Sequence, residues 1–353
     1  MILMAVDHSS EEVNAGRLFT DGAFVYTPGT PLPAAQFLTR WVTHLCAPTF
    51  VLLAGTSLAL QVGRRVAAGD PAGRIDRDIA VRGLVIIAFE LWVSWWWMPP
   101  GHYLLQVLYA IGTSFLAMVA LRRLPTPVLV ALAVAVIVLG ERVVGALGWG
   151  PPGETPLLAS LLLVPGRRGA LIVAYPTLHW LAMMMLGWAL GRSLARRPDP
   201  ATTARRLGSS GLALLALFAV VRGVNRYGNM GLLREGSSLV QWLHVSKYPP
   251  SLSFVALELG LMAPLLGLLF VVADHTAARD DGPVLVLGRT PMFFYLLHVP
   301  CLALAARWLG VAHRLGLAGT YLFAAGVVAA LYPLCRAYGR YKASHPGGWT
   351  RYI

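Results

Sequence analysis

Charged residues are scarce in this chain. Asp, Glu, Lys and Arg make up 13% of its 353 residues, whereas about 25% is usual in a soluble globular domain. Hydrophobic residues make up 57%. This composition excludes an ordinary soluble protein and indicates a polytopic membrane protein.

Cysteines and the common catalytic motifs are also scarce. Cys46, Cys301 and Cys335 lie within apolar runs, without a CxxC pair or a Cys/His ligand spacing. This excludes a disulfide framework and a structural zinc site. Gly-rich phosphate loops, serine nucleophile elbows, HExxH and EF-hand patterns do not occur in the sequence either. We therefore expect neither a catalytic metal nor a nucleotide-fold enzyme.

Acidic residues are few, with 16 Asp and Glu against 29 Lys and Arg, and the net charge is +13. In a soluble protein this balance would indicate nucleic acid. Here the arginines fall mostly in short loops between apolar runs, where positive charge sets the orientation of membrane helices. We therefore expect membrane lipid as a partner and no nucleic acid.

The apolar runs are long enough to cross a bilayer, which takes about 20 helical residues. Nine complete spans are predicted, at 37–60, 79–98, 103–121, 127–147, 170–190, 207–224, 252–272, 283–309 and 318–338. The six apolar residues before Asp7 predict the end of a further helix that is truncated at its N-terminus. The sequence thus predicts an all-α polytopic membrane protein of about ten transmembrane helices, with residues 1–353 as a single transmembrane domain.

The loop charges predict an orientation for these spans. The arginine-rich segments are 61–78, 122–126, 191–206, 273–282 and the C-terminal tail. The positive-inside rule places them in the cytoplasm together with both termini, and places loops 7–36 and 225–251 outside.

Two ionisable residues, Arg40 and His44, lie inside the first complete span. A cation near the bilayer centre costs about 3 kcal/mol even on lenient insertion scales. Residues four apart share one face of a helix, so this face must look into a protein interior or a wet cavity. The pattern predicts a functional cavity.

Further polar residues lie in the other predicted spans: Glu90, Gln106, His179, Arg289 and His298. Together with Arg40 and His44 they exceed what packing requires and predict a shared polar interior. Arginine presents a bidentate fork, so Arg40 and Arg289 are the expected clamps for phosphates. The alternative is that Glu90 forms a structural ion pair with one of these arginines.

Two short polar motifs flank predicted spans. Asp7 and His8 lie where the first helix leaves the membrane, and a carboxylate beside an imidazole suits a general base. As a bare dipeptide the signal is weak, and a loop histidine without a role is the more common case.

Lys247 and Tyr248 precede two prolines that fix a rigid helix entry. They are expected either over a cavity mouth or as an interfacial anchor.

Several segments carry a family resemblance. They are MILMAVDH at 1–8, RWVTHLCAPTFVLLAGTS at 40–57, LQVLYAIGTS at 105–114, SKYPPSL at 246–252, GRTPMFFYLLH at 288–298 and CRAYGRYKASHP at 335–346. In this order they resemble bacterial members of the heparan-alpha-glucosaminide N-acetyltransferase-like family, and through it the wider group of integral-membrane acyltransferases.

The resemblance implies transfer of an acetyl or other acyl group from acyl-CoA, supplied on the cytoplasmic side, to an amine or hydroxyl of an envelope glycan or glycolipid. In the wider group the first helix carries an arginine, ten further residues and a histidine. His8 matches that histidine, and the arginine would precede Met1. We therefore expect His8 to be the base or acyl carrier, with Asp7 orienting it.

The remaining polar residues receive roles around that centre. Arg40, Arg289 and Gln106 are expected to bind the acyl-CoA donor, which needs no metal. The residues expected to bind the acceptor or to stabilise the developing oxyanion are His44, Glu90, Lys247, Tyr248 and His298.

Two other classes of function stay open. A transporter or flippase for a polar envelope precursor would also explain a charged interior, although paired Gly/Pro-broken spans of the inverted-repeat kind are not evident. A non-enzymatic scaffold of envelope assembly is a third reading. The expected location is the bacterial cytoplasmic membrane, and the sequence leaves monomer and homo-oligomer open.

Overall fold

A computed structural model of the chain describes residues 1–147, 155–196, 199–275, 282–345 and 350. These residues form helices joined by short turns at one end of the bundle and by long loops at the other. The helices are α1 (Ile2–Val13), α2 (Ala34–Thr43), α3 (Cys46–Ala67), α4 (Ala72–Trp97), α5 (Val107–Leu121), α6 (Thr126–Ala146), α7 (Leu157–Leu162), α8 (Thr177–Leu194), α9 (Pro200–Val224), α10 (Leu239–Leu243), α11 (Leu252–His275), α12 (Pro283–Arg289), α13 (Pro291–Trp308) and α14 (Leu317–Ser344). The strands are β1 (Tyr103–Leu105), β2 (Gly166–Arg168) and β3 (Leu171–Val173).

Seven helical segments of the described residues are long and apolar enough to cross a membrane: α2 with α3, α4, α6, α9, α11, α13 and α14. They coincide with seven of the nine complete spans predicted from the sequence. The other two predictions fall on α5, a shorter apolar helix of 15 residues, and on α8, of 18 residues. The chain is a mostly helical integral membrane protein, and a total of ten spans stays a prediction.

The first complete span is not one continuous helix. The sequence predicts a single helix over 37–60, but α2 ends at Thr43 and α3 begins at Cys46. Pro48 has no N–H to bond to the carbonyl of His44, and its ring crowds that carbonyl, so the helix is interrupted at this point. His44 therefore lies at the end of α2 instead of on the face of an unbroken helix.

The predicted span 283–309 is also divided, because a residue that precedes proline avoids helical backbone angles. Thr290, before Pro291, has φ −123° and ψ 40° and separates α12 from α13. Within α13, Pro300 leaves the carbonyl of Leu296 without its usual helical partner. The Trp92 indole N–H on α4 donates to that carbonyl at 3.1 Å.

A small sheet replaces the starts of two predicted helices. The sequence predicts helices from Tyr103 and from 170, whereas the structure has β1 and β3 there, paired in parallel with Tyr103 opposite Leu171. β2 adds to β3 in antiparallel fashion. The stretch Leu171–Val173 contains β-branched residues and leads to Pro176, which precedes α8, so an extended backbone is favoured.

The bundle has two distinct ends. We call the end formed by 14–33, 98–106, 163–176 and 225–251 the loop end, and the opposite end, with 68–71 and 122–125, the turn end. α3 runs from the loop end to the turn end, and α4 runs back.

Several segments with predicted roles in topology lie wholly or partly outside the described residues: loops 148–168 and 273–282, Arg197 and Arg351.

Close helix packing at small residues fixes α3 against α8. Gly187 and Gly191 of α8 lie against the backbone carbonyls of Leu52 and Thr56, and the Thr56 hydroxyl donates to the Gly187 carbonyl at 3.0 Å. A small-xxx-small pattern allows such backbone approach inside membranes. This packing holds α3, whose first turn begins at the polar cluster described next.

Candidate active site

A buried network of charges centres on Arg40 of α2. Its guanidinium donates to Asp7 at 2.5 Å and to Asp21 at 2.7 Å. Arg17 forms a second ion pair with Asp7 at 3.1 Å. Arg40 is 8% exposed and Asp21 is 3% exposed. Each charge is thus compensated by an opposite charge within hydrogen-bond distance, as a buried arginine requires.

The loop 14–33 contributes Asp21 to this network. Burial alone would raise the pKa of the Asp21 carboxyl, but the Arg40 guanidinium and His44 hold that pKa well below its usual range. Asp21 is therefore ionised at neutral pH. His44 Nε2 lies 3.2 Å from the second Asp21 oxygen, so Asp21 joins both residues that the sequence singled out inside the first span.

The segment before α11 closes over Asp21. The backbone N–H groups of Lys247 and Tyr248 donate to the Asp21 carbonyl at 2.8 and 3.2 Å. The Tyr248 hydroxyl lies 3.4 Å from Arg40 and 3.4 Å from the Tyr175 hydroxyl. Burial, followed by the neighbouring Tyr248, raises the pKa of Tyr175 well above its usual value, so this phenol stays protonated.

Lys247 is buried, at 2% exposure, and does not project over an open mouth as one reading of the sequence expected. Its ammonium lies 5.2 Å from the Tyr248 ring centroid and 5.8 Å from that of Tyr175. Among the described residues no carboxylate lies within ion-pair distance of this ammonium. Two aromatic faces therefore stabilise a cation that keeps its hydrogen-bond donors for another group.

His8 lies one residue after Asp7 and contacts different partners. Its Nδ1 lies 2.6 Å from Nε2 of His298 on α13. Trp97 packs edge-on against the His8 ring with a centroid distance of 4.8 Å, and Tyr295 does so at 6.0 Å. His8 is half-buried whereas His298 is fully buried, so His8 is the accessible member of the pair.

The backbone around His298 decides where the protons of this pair reside. His298 Nδ1 lies 2.6 Å from the Tyr295 carbonyl oxygen, which can only accept. We assign the proton of neutral His298 to Nδ1, so its Nε2 accepts a hydrogen bond from His8 Nδ1–H. His8 Nε2 then carries a lone pair and is free to accept a proton or attack an electrophile.

The expected pairing of Asp7 with His8 is not formed. Neighbouring residues on a helix point to different sides, so the Asp7 carboxylate binds Arg40 and Arg17 while His8 meets His298. The Asp7 carboxylate thus joins α1 to Arg40 of α2 and to Arg17, and the side chain hydrogen-bonded to the His8 imidazole is His298.

Three predicted site residues lie apart from this network. Glu90 is fully buried and its carboxylate accepts the Tyr109 N–H at the start of α5, at 2.8 Å, so it caps a helix and pairs with neither Arg40 nor Arg289. Gln106 precedes α5 as its N-cap residue without a side-chain cap bond. Arg289, the last residue of α12, is exposed.

Two further expectations need correction, the phosphate clamp at Arg40 and the place of His179 in a shared polar interior. Arg40 is engaged by two carboxylates, so it is not available as a phosphate clamp. His179 is buried between α8 and Gly140 of α6, and neither ring nitrogen has a hydrogen-bond partner among the described side chains and backbone.

Sequence reasoning missed several residues of the cluster. In the sequence, Asp21 resembles an ordinary loop carboxylate, and Tyr175 falls within the predicted helix 170–190. Glu258 on α11 is 1% exposed. An acidic residue inside the apolar run 252–272 is unusual, so the sequence could have indicated Glu258 as a candidate. Tyr295, whose hydroxyl is buried without a partner in the described structure, gave no polar signal because a tyrosine in an apolar span is common.

Residues 18–220 match the family described as "Heparan-alpha-glucosaminide N-acetyltransferase, catalytic". The match includes Asp21, Arg40 and His44 and leaves His8 and Lys247 on either side. No curated protein matches the chain. Because the match covers more than half of the sequence, this chain belongs to the heparan-alpha-glucosaminide N-acetyltransferase family, a family of membrane acetyltransferases.

Proposed function

We propose that this protein transfers an acetyl or other acyl group from acyl-CoA to an amine or hydroxyl of an envelope glycan or glycolipid, with His8 at the reacting centre. The observation that carries the proposal is the hydrogen-bonded series Tyr295 carbonyl, His298, His8, with 2.6 Å at both steps. It presents an unprotonated imidazole nitrogen at a half-buried position beside a polar interior.

Two routes use this nitrogen. In the first, His8 Nε2 takes the proton of the acceptor N–H or O–H as that atom attacks the thioester carbonyl. The C–S bond then breaks, and the proton passes to the leaving CoA thiolate. In the second, His8 Nε2 itself attacks the thioester and the C–S bond breaks to release CoA thiolate. In a later step the acceptor takes the acyl group, the bond from the acyl carbon to Nε2 breaks, and the acceptor proton balances protonation of the thiolate.

Lys247 and Tyr295 are the donors best suited to the negative charge that develops on the thioester oxygen. The Lys247 ammonium is buried without a carboxylate partner, and the Tyr295 hydroxyl has no partner among the described residues. Preorganised donors in a site with little water stabilise such an oxyanion. His44 and Tyr248 border this region through Asp21 and Arg40 and are proposed to contact the acceptor.

The arginines of the short loops support an orientation for the reaction. Arg64, Arg65, Arg122 and Arg123 lie at the turn end, whereas segment 14–33, whose charged residues are Arg17 and Asp21, packs at the loop end. We place the turn end in the cytoplasm of a bacterial cell, together with both termini, and the acceptor at the loop end. Acyl-CoA would then be supplied from the turn end.

The test is transfer from labelled acetyl-CoA by the purified full chain. His8→Ala should lower transfer by about 10²–10⁴-fold, the contribution typical of a positioned general base. His345→Ala, an exposed histidine at the end of α14, should leave transfer unchanged. If His8→Ala keeps full transfer, the assignment is wrong.

The purified full chain and its His8→Ala variant also distinguish the two chemical routes from each other, and transfer from the rival class of function. Label retained on His8 after rapid denaturation at neutral pH, absent in His8→Ala, would select the acyl-carrier route. Uptake of an envelope precursor into proteoliposomes that needs no acyl-CoA, without any transfer, would favour a transporter instead.

A further inference from the structure

A second charged site lies at the other end of the bundle, where α3 ends and α4 begins. A cavity of about 480 Å³ opens between these helices. Its wall includes four arginines, Arg65, Arg74, Arg77 and Arg82, with Asp78 as a carboxylate among them. It shares no lining residue with the network of Arg40 and Asp21.

The charges of this cavity are not balanced. Arg65 is engaged by Asp70 at 2.6 Å and by Asp78 at 2.9 Å. Arg74 and Arg82 have no carboxylate within ion-pair distance in the part of the chain that the structure describes. Two positive charges therefore face the cavity without a counterion from the protein.

Arg82 is the more constrained of the two. Its guanidinium packs over the Phe115 ring at 5.2 Å, and its Nε is buried without a hydrogen-bond partner among the described residues. Its one hydrogen bond to a described side chain, from Nη1 to Gln61, is long at 3.5 Å. Arg82 is half-buried, and its buried, unpartnered Nε calls for an anionic ligand nearby, because an unsatisfied buried donor is costly.

We propose that this cavity binds a phosphate group of an extended anionic ligand. Guanidinium groups match phosphate oxygens in a bidentate fork, and several converging arginines are the common form of a phosphate site. An arginine that serves only membrane orientation needs no shared cavity. Arg64, which is exposed and does not line the cavity, is an example of that simpler kind.

The position of the cavity relates it to the reacting centre. α4 runs from the cavity to Trp97, whose ring packs against His8. The fifteen residues from Arg82 to Trp97 span about 22 Å of helix. An acyl-CoA held by its phosphates at one end and reaching toward His8 at the other fits this arrangement.

The same phosphate chemistry is offered by the headgroup of an anionic lipid. The phosphate site itself does not depend on the proposed transfer, whereas its assignment to acyl-CoA rests on the proposed function. Binding is therefore measured without turnover, so that failure of this site and failure of His8 as the reacting group give different results.

The experiment is calorimetric titration of the full chain in neutral detergent with CoA and with dephospho-CoA. Arg74→Gln combined with Arg82→Gln should weaken CoA binding about tenfold or more, because charge-assisted hydrogen bonds are lost. Arg64→Gln, the matched control, should change it less than about twofold. Arg74→Gln alone, at an exposed position, provides a variant with little effect on folding.

A second arm identifies the source of the phosphate. Each variant is reconstituted with neutral or phosphatidylglycerol-containing lipid, and retained anionic lipid is counted by native mass spectrometry. Loss of lipid retention with unchanged CoA binding would support the phosphate site with a lipid headgroup as ligand. Unchanged CoA binding together with unchanged lipid retention, in monodisperse variants, would overturn the proposal.

Discussion

At the scale of single residues, the hydrogen bond from His8 to His298 decides which nitrogen of His8 carries the proton. A neutral imidazole has one donor and one acceptor nitrogen, and the bond made by one of them fixes the other. The Tyr295 carbonyl sets the tautomer of His298, and His298 sets that of His8. Under the proposed mechanism His298 is a positioning residue, which differs from the acceptor-binding role expected from the sequence.

His298→Ala should lower kcat by about 10- to 100-fold, the loss typical when a group that orients a functional histidine is removed, with KM for acyl-CoA nearly unchanged. His298→Asn should recover part of the activity, since its amide oxygen can accept from His8 Nδ1–H. The measurement is steady-state transfer across a pH series.

The control for this prediction is His179→Ala, which removes another buried histidine outside the cluster. Equal losses in His298→Ala and His179→Ala, with the same pH profile in both, would mean that His298 has a packing role alone.

At the scale of helices, hydropathy located the spans well but not their interruptions. Averaging over about 20 residues detects a crossing and ignores a single proline. Pro48 and Pro291 are visible in the sequence and could have placed the breaks at His44 and Thr290. The strand at Leu171–Val173 was harder to predict, because a short apolar run reads equally as buried helix or strand.

Close packing of α3 and α8 gives a testable element-scale effect. A Cβ added at Gly187 would lie 2.0 Å from the Leu52 carbonyl oxygen, so Gly187→Ala should separate the helices and destabilise the protein by about 1–3 kcal/mol. Gly63→Ala on α3 meets open space and should be neutral or stabilising by up to about 1 kcal/mol. Thermal unfolding in detergent compares the two variants, and equal midpoints would contradict this account.

At the scale of the whole molecule, the site is assembled from segments far apart in the chain. Arg40, His44 and His8 could be named from sequence because polar groups in apolar runs are unusual. Their partners could not be, since Asp21 lies in a loop and His298 is 290 residues away from His8. Pairing of this kind depends on tertiary structure, which composition and spacing do not encode.

The loop end depends on Arg222, at the end of α9. Its guanidinium, fully buried, makes five hydrogen bonds within the loop 225–251: to Asn229 Oδ1 and to the carbonyls of Leu232, Gln241, Trp242 and His244. His244 in turn donates through Nε2 to the Thr20 carbonyl at 2.7 Å, and burial lowers the pKa of this histidine. Arg222 therefore holds the loop that contacts the segment of Asp21.

Arg222→Lys should open this loop, because a lysine offers three donors from one point and cannot reach the same carbonyls. We expect faster proteolysis within 225–251 and a loss of transfer, with the helices intact by circular dichroism. Arg206→Lys, exposed on the same helix, is the control. An unchanged cleavage rate in Arg222→Lys would show that the loop is held by other contacts.

The distance along the chain between His8 and His298 also has a consequence during synthesis. At roughly 5–20 residues per second, translation of the 290 intervening positions takes about 15–60 s. Throughout that interval the His8 imidazole lacks His298, the residue that determines which of its nitrogens carries the proton. Under the proposed mechanism, a nascent or prematurely terminated polypeptide should consume thioester far more slowly than the full chain, and full competence begins only when the last helices have entered the bilayer.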